Sequence, residues 1–157
     1  MQTDDWLPLY LRDHYAGATA GVRLFRRVAD SHSVPEVRDC VARLADEVQQ
    51  DRDSLAEIMA ALDVRRDSLT EYAAVAGEFL GRFKPNGSLW HRSPGADVLE
   101  LEALSAAVAA KATLWETLLS CTASHDQLDT AALTALHERA LAQERTVKDL
   151  HERVISR

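Results

Sequence analysis

Cysteine is nearly missing from this chain. Cys40 and Cys121 are the two present, with no Cys-x-x-Cys pair, which excludes a disulfide framework and a cysteine-rich zinc site. Each has apolar neighbours in helical pattern, so both are expected as buried free thiols. Glycine and proline are scarce as well, at 6 and 4 residues, which leaves too little turn chemistry for a many-stranded sheet. No apolar run approaches the ~18 residues that span a bilayer. "MQTDDWLPLY" has neither the basic start nor the apolar core of a signal peptide. A cytoplasmic protein with no membrane partner is therefore expected. Positive charge is the minority sign, 18 basic against 25 acidic residues and a net charge of -7. That balance argues against nucleic acid or anionic lipid as a partner, because both attract a positive face. No phosphate loop, dinucleotide-binding glycine turn, nucleophile elbow or His-Glu-x-x-His occurs. No catalytic residue and no cofactor is assigned.

What is present is helical. At 157 residues and 46% hydrophobic composition, the chain is read as one domain over residues 1–157 with enough apolar surface for a core. Fifteen of the 18 basic residues are Arg, and Ala is abundant, a bias that GC-rich bacterial genomes produce. A first helix is expected over Asp5–Ser31, capped by Thr3, Asp4 and Asp5, with Pro8 in its first turn. Its inward stripe runs Leu7, Leu11, His14, Ala18, Gly21, Phe25, Val28 in alternating steps of four and three. Gly17 and Gly21 share one side, and the expected compensation for their helix cost of about 1 kcal/mol is close approach of another backbone.

Ser33 and Glu36 have capping-box spacing before a second helix that ends near Leu62, with Pro35 in its first turn. Its stripe is Val37, Val41, Leu44, Val48, Asp51, Leu55, Ile58, Leu62, and its single polar member is Asp51. A third helix is expected over Ala96–Thr122 with Lys111 as the intruder among Leu101, Leu104, Val108, Trp115 and Leu118. A fourth covers Asp129–Ile155, where Gln143 interrupts Leu133, Leu136, Ala140, Val147, Leu150 and Val154. Ser124 and Gln127 offer an alternative start for it. The stretch of about thirty residues between the second and third helices is expected to carry a short amphipathic helix, "SLTEYAAVAGEFLGRF", opened by Ser68 and Glu71.

Short links within each helix pair and one long middle crossover describe an all-α four-helix bundle of the ferritin-like kind. With "ADEVQQDRDSL" on its second helix, the chain resembles the ferritin-like superfamily over nearly its whole length. That resemblance implies a di-iron or di-manganese site made from Glu on the first and third helices and Glu-x-x-His on the second and fourth. Glu47 matches the second-helix Glu, but Gln50 stands at the His position. Glu144 matches on the fourth helix, but Val147 stands where its His belongs. The third helix has Lys111 near the carboxylate height, and the first has "AGATAG" where an acid is expected. The resemblance therefore implies a degenerate member without a metal. A metal-bearing oxidase or ferroxidase would need non-standard ligands drawn from Glu47, Asp51, Glu102, Glu116 and Glu144. A haemerythrin-like site is excluded, since the second and third helices contain no His.

The expected alternative to metal is a buried polar layer of His14, Glu47, Asp51, Lys111, Gln143 and Glu144, with Lys111 paired to Asp51 or Glu47. A buried charge has to be paired or neutralised. His137, Glu144 and His151 recur every seven residues along one edge of the fourth helix. The two His lie about 21 Å apart, too far to share an ion, and this edge suits contact with a second copy in a homodimer. Lys84, Trp90, His91 and Arg92 gather in "FKPNGSLWHRSPG" as a contact loop for a small anion or peptide. A binding or assembly module of unidentified ligand is the function expected.

Overall fold

The computed structural model describes residues 6–66 and 94–157. The short crossover helix, the contact loop of Lys84, Trp90, His91 and Arg92, and the caps at Thr3, Asp4 and Asp5 lie outside them. The described residues form four long helices: α1 (Leu7–Ser31), α2 (Pro35–Ala61), α3 (Pro94–Cys121) and α4 (Thr130–Ile155). There is no strand among them.

Local chemistry sets the helix ends. Trp6 is the N-cap of α1, and its side chain makes no capping hydrogen bond. Val34, not Ser33, caps α2, also without one. The expected Ser33–Glu36 box does not form because the Ser33 hydroxyl donates instead to the Asp97 carboxylate of α3. Asp129 caps α4 as its residue type favours, accepting from the backbone N–H of Ala131 at 2.8 Å and of Ala132 at 3.1 Å. Asp129 rather than Ser124 starts that helix. Asp63, at φ 54°, takes the left-handed conformation that closes α2, and Val64 N–H donates back to the Met59 carbonyl at 2.8 Å.

Contacts at the two ends fix the helix directions. At one end Ser33 meets Asp97, and Arg157 donates to Glu36 at 2.6 Å. At the other, the Tyr10 hydroxyl donates to Thr117 at 3.2 Å. Thus α1 and α4 run one way and α2 and α3 the other, so α2 leaves the bundle at the end opposite to the one where α3 enters. The helices pack as two hairpins, α1 with α2 and α3 with α4, joined along an α1–α3 seam and an α2–α4 seam.

Although Ala18, Ile58, Leu62 and Val154 are only partly buried and Met59 is buried where α2 was read to turn in Ile58, most of the stripe residues read from the sequence form the core, in two clusters. One gathers Phe25, Val28, Val41, Leu44, Leu104, Val108, Val147 and their neighbours. The other gathers Leu11, Leu55, Met59, Trp115, Leu118, Leu133 and Ala140 with theirs. Asp51 lies between Val48 and Leu55, Lys111 between Val108 and Trp115, and Gln143 between Ala140 and Val147. The polar residues therefore fall at the boundary between the clusters. Cys40 and Cys121 are half-buried rather than buried, because each sits at the flank of its helix's inward stripe.

Candidate functional site

The centre of the boundary layer is Asp51, only 1% exposed. Three residues from the facing hairpin converge on it. The Lys111 ammonium of α3 donates to Oδ2, the Arg139 guanidinium of α4 donates to Oδ1, and Gln143 Nε2 donates to Oδ2 at 3.3 Å. Lys111 also donates to Gln143 Oε1. The Gln143 amide nitrogen reaches Glu47 as well, at 2.9 Å. Two carboxylates face two cations, so the layer is formally neutral and the buried carboxylate is compensated. Burial pushes the Lys111 pKa below its ordinary value, against the attraction of Asp51 and its hydrogen bond. Arg139 adds to the lowering and Glu47 opposes it.

Arg139 has no place in the sequence-derived layer. The available signal was its position one turn before Gln143, which sets it on the same side of α4 about 6 Å away along the axis. Its side chain is 34% exposed, and it reaches inward from a flank that periodicity assigns to the surface. Long side chains with apolar stems do this readily.

Two expected members stand apart from the hydrogen-bonded set. Glu144 accepts from Lys148 at 2.6 Å, an i,i+4 pair at the helix edge. It follows Gln143 directly, and the 100° step between neighbours in a helix carries it off the inward face. His14 is partly buried and packs against Tyr10 with ring centroids 4.4 Å apart and the planes tilted by 57°. It lies on α1, across a cavity from the layer. Burial lowers its pKa, partly offset by Asp13. At the helix edge, His151 lies 3.4 Å from Glu102 of the same chain.

Gly17 and Gly21 depart from expectation. Apart from the neighbouring stretch of α1 itself, no atom of the described residues lies within 4 Å of where a Cβ would sit on either, so no backbone of another described helix approaches them. They line a cavity of 640 Å³ between α1 and α3, whose walls include Ala103, Ala106, Ala107 and Ala110. Asp51, Lys111 and His14 form its polar part, and Phe25, Leu55 and Trp115 are among its larger apolar lining.

The residues present do not fit a di-metal centre. Gln50 is exposed and Val147 is buried in the core. Glu102 and Glu116 are exposed, and Glu144 is held by Lys148. Of the five candidate carboxylates only Glu47 and Asp51 meet, through Gln143. Among the described residues no group of three or more His, Cys, Asp or Glu could hold an ion. An ammonium has no lone pair to offer a metal, and it would repel a divalent ion placed beside it. No helix among the described residues is long and apolar enough to cross a membrane. No protein-family model, curated protein or solved structure matches the chain.

Proposed function

We propose that this chain is a ferritin-like bundle that works without a metal, as a cytoplasmic binding or assembly module. The helix directions support the ferritin-like reading, since two antiparallel hairpins with parallel second and third helices call for one end-to-end crossover. The observation that carries the metal-free reading is Asp51 held by two cations, Lys111 and Arg139. This supports a reading in which their positive charge stands in for that of the metal pair the superfamily resemblance implies. Such a layer fixes helix register, and it leaves the volume between α1 and α3 free for other use.

Elemental analysis of protein purified without chelator tests this. The expected result is no stoichiometric iron, manganese or zinc. About two equivalents of iron or manganese per chain, lost in a Glu47→Ala/Asp51→Ala double variant that still folds, would replace this reading with an oxidase or ferroxidase one. Assembly as a homodimer is read by sedimentation, and a monomer at every concentration removes that part.

A further inference from the structure

The cavity between α1 and α3 has two kinds of wall. Along its length the small side chains of Ala and Gly leave room, and the volume of 640 Å³ is in the range of sites for small organic ligands. At the level of Asp51 it becomes polar, and what it offers there is donors. An ammonium has three N–H groups. Lys111 uses two, on Asp51 and Gln143, and the third has no acceptor among the described residues. Trp115 stands one helical turn further along α3, on the same face. It is 1% exposed, and its buried indole N–H has no hydrogen-bond partner among the described residues. Arg52, which also lines the cavity, has a buried Nε in the same condition.

A buried donor without an acceptor is unfavourable; Trp115 and Arg52 each carry one, and with the third N–H of Lys111 beside them they point to a missing acceptor. The acceptors already present are committed or remote. Both oxygens of Asp51 are engaged by Lys111, Arg139 and Gln143, and Asp13 is exposed. Two of the three waiting donors belong to cations, which favours an anionic head over a neutral one.

We propose that this cavity binds a single-chain amphiphile, its aliphatic body against the alanine and glycine walls and its carboxylate head accepting from Lys111 and Trp115. The proposal deepens the binding-module reading above and rests on it for the ligand class only.

The test is calorimetric titration of the delipidated full-length protein with dodecanoate below its micellar concentration, with metal content measured on the same preparation. Saturable binding near one equivalent is expected. Trp115→Phe keeps the ring packing and removes the N–H, and should weaken binding about tenfold, the size of one lost hydrogen bond. Gly21→Leu places a side chain in the open volume and should weaken it by about a hundredfold or more if the body lies there, with a thermal midpoint no lower than wild type. The proposal is overturned by an absence of saturable binding, by dodecane or dodecanol binding as well as dodecanoate, or by both variants binding like wild type. Metal-free protein that does not bind dodecanoate overturns this inference alone. Metal-loaded protein that does bind it overturns the metal-free reading alone.

Discussion

The two hairpins meet along two seams, and the seams solve the same problem differently. Along α2–α4, Asp51 and Glu47 meet Arg139 and Gln143, and Lys111 joins from α3. Long polar side chains fill the space and satisfy one another there. Along α1–α3 the facing residues are Gly17, Gly21, Ala103, Ala106, Ala107 and Ala110, and a cavity remains. Helix separation in a bundle is set where large side chains interdigitate. Small residues draw two helices together only if both backbones are free to approach. Here the apolar clusters on either side of the layer hold α1 and α3 at a distance that the small side chains do not fill. One seam is closed by charge, and the other is kept open by the packing around it.

Breaking the charged seam should have the largest effect. Lys111→Ala leaves Asp51 buried with one partly exposed cation, and should cost about 3 kcal/mol or more in denaturant unfolding. Combining Lys111→Met with Asp51→Leu should cost less than the two single losses added together, because neither partner is then left alone. Strictly additive losses below about 1 kcal/mol would mean that the pair is screened like a surface bridge. Arg139→Ala comes next, at about 1–2 kcal/mol, discounted for its exposure. A loss as large as that of Lys111→Ala would reverse the ranking of the two cations.

The open seam predicts the opposite sign. Gly21→Ala adds a Cβ where no described atom beyond the neighbouring stretch of α1 lies within 4 Å, and it restricts the unfolded chain. It should stabilise by about 0.5–1 kcal/mol, readable as a higher denaturation midpoint. Destabilisation would show that something else already fills the space. The smallest effect concerns His14. Its folded pKa lies below the ordinary 6.5, so between those two values the unfolded chain binds the proton more readily. Stability should therefore fall as pH drops from about 6.5 through the folded pKa, and level off below it. His14→Gln should remove that slope, and an unchanged pH profile would rule out His14 as its source.

Much of this architecture was readable in advance. The three-and-four spacing of Val37, Val41, Leu44, Val48, Leu55 placed the buried face of α2, and corresponding stripes placed those of α1, α3 and α4. Asp51, Lys111 and Gln143 stood out because each interrupts an otherwise apolar stripe. Glu144 was placed in the layer although the 100° step from Gln143 turns it off the inward face, and Arg139 was missed for a different reason. Periodicity gives the direction in which a Cα–Cβ bond points, and it says little about where a long side chain ends. Arg139 has the reach to enter the layer from a flank, whereas Glu144 found Lys148 one turn away. The Ser33 cap failed similarly, because local spacing cannot register a carboxylate arriving from α3.

The sequence alone dictates that this chain makes long amphipathic helices, which of their faces are buried, and that Asp51, Lys111 and Gln143 interrupt the apolar stripes of three of them. Those are consequences of period and polarity within a single helix, and they need no partner. Tertiary packing settled which polar residues meet, that Arg139 shares Asp51 with Lys111, and that Gly17 and Gly21 line a cavity. Each of these depends on the distance and height of one helix relative to another. Packing of the whole set of side chains settles that distance, and no local pattern encodes it.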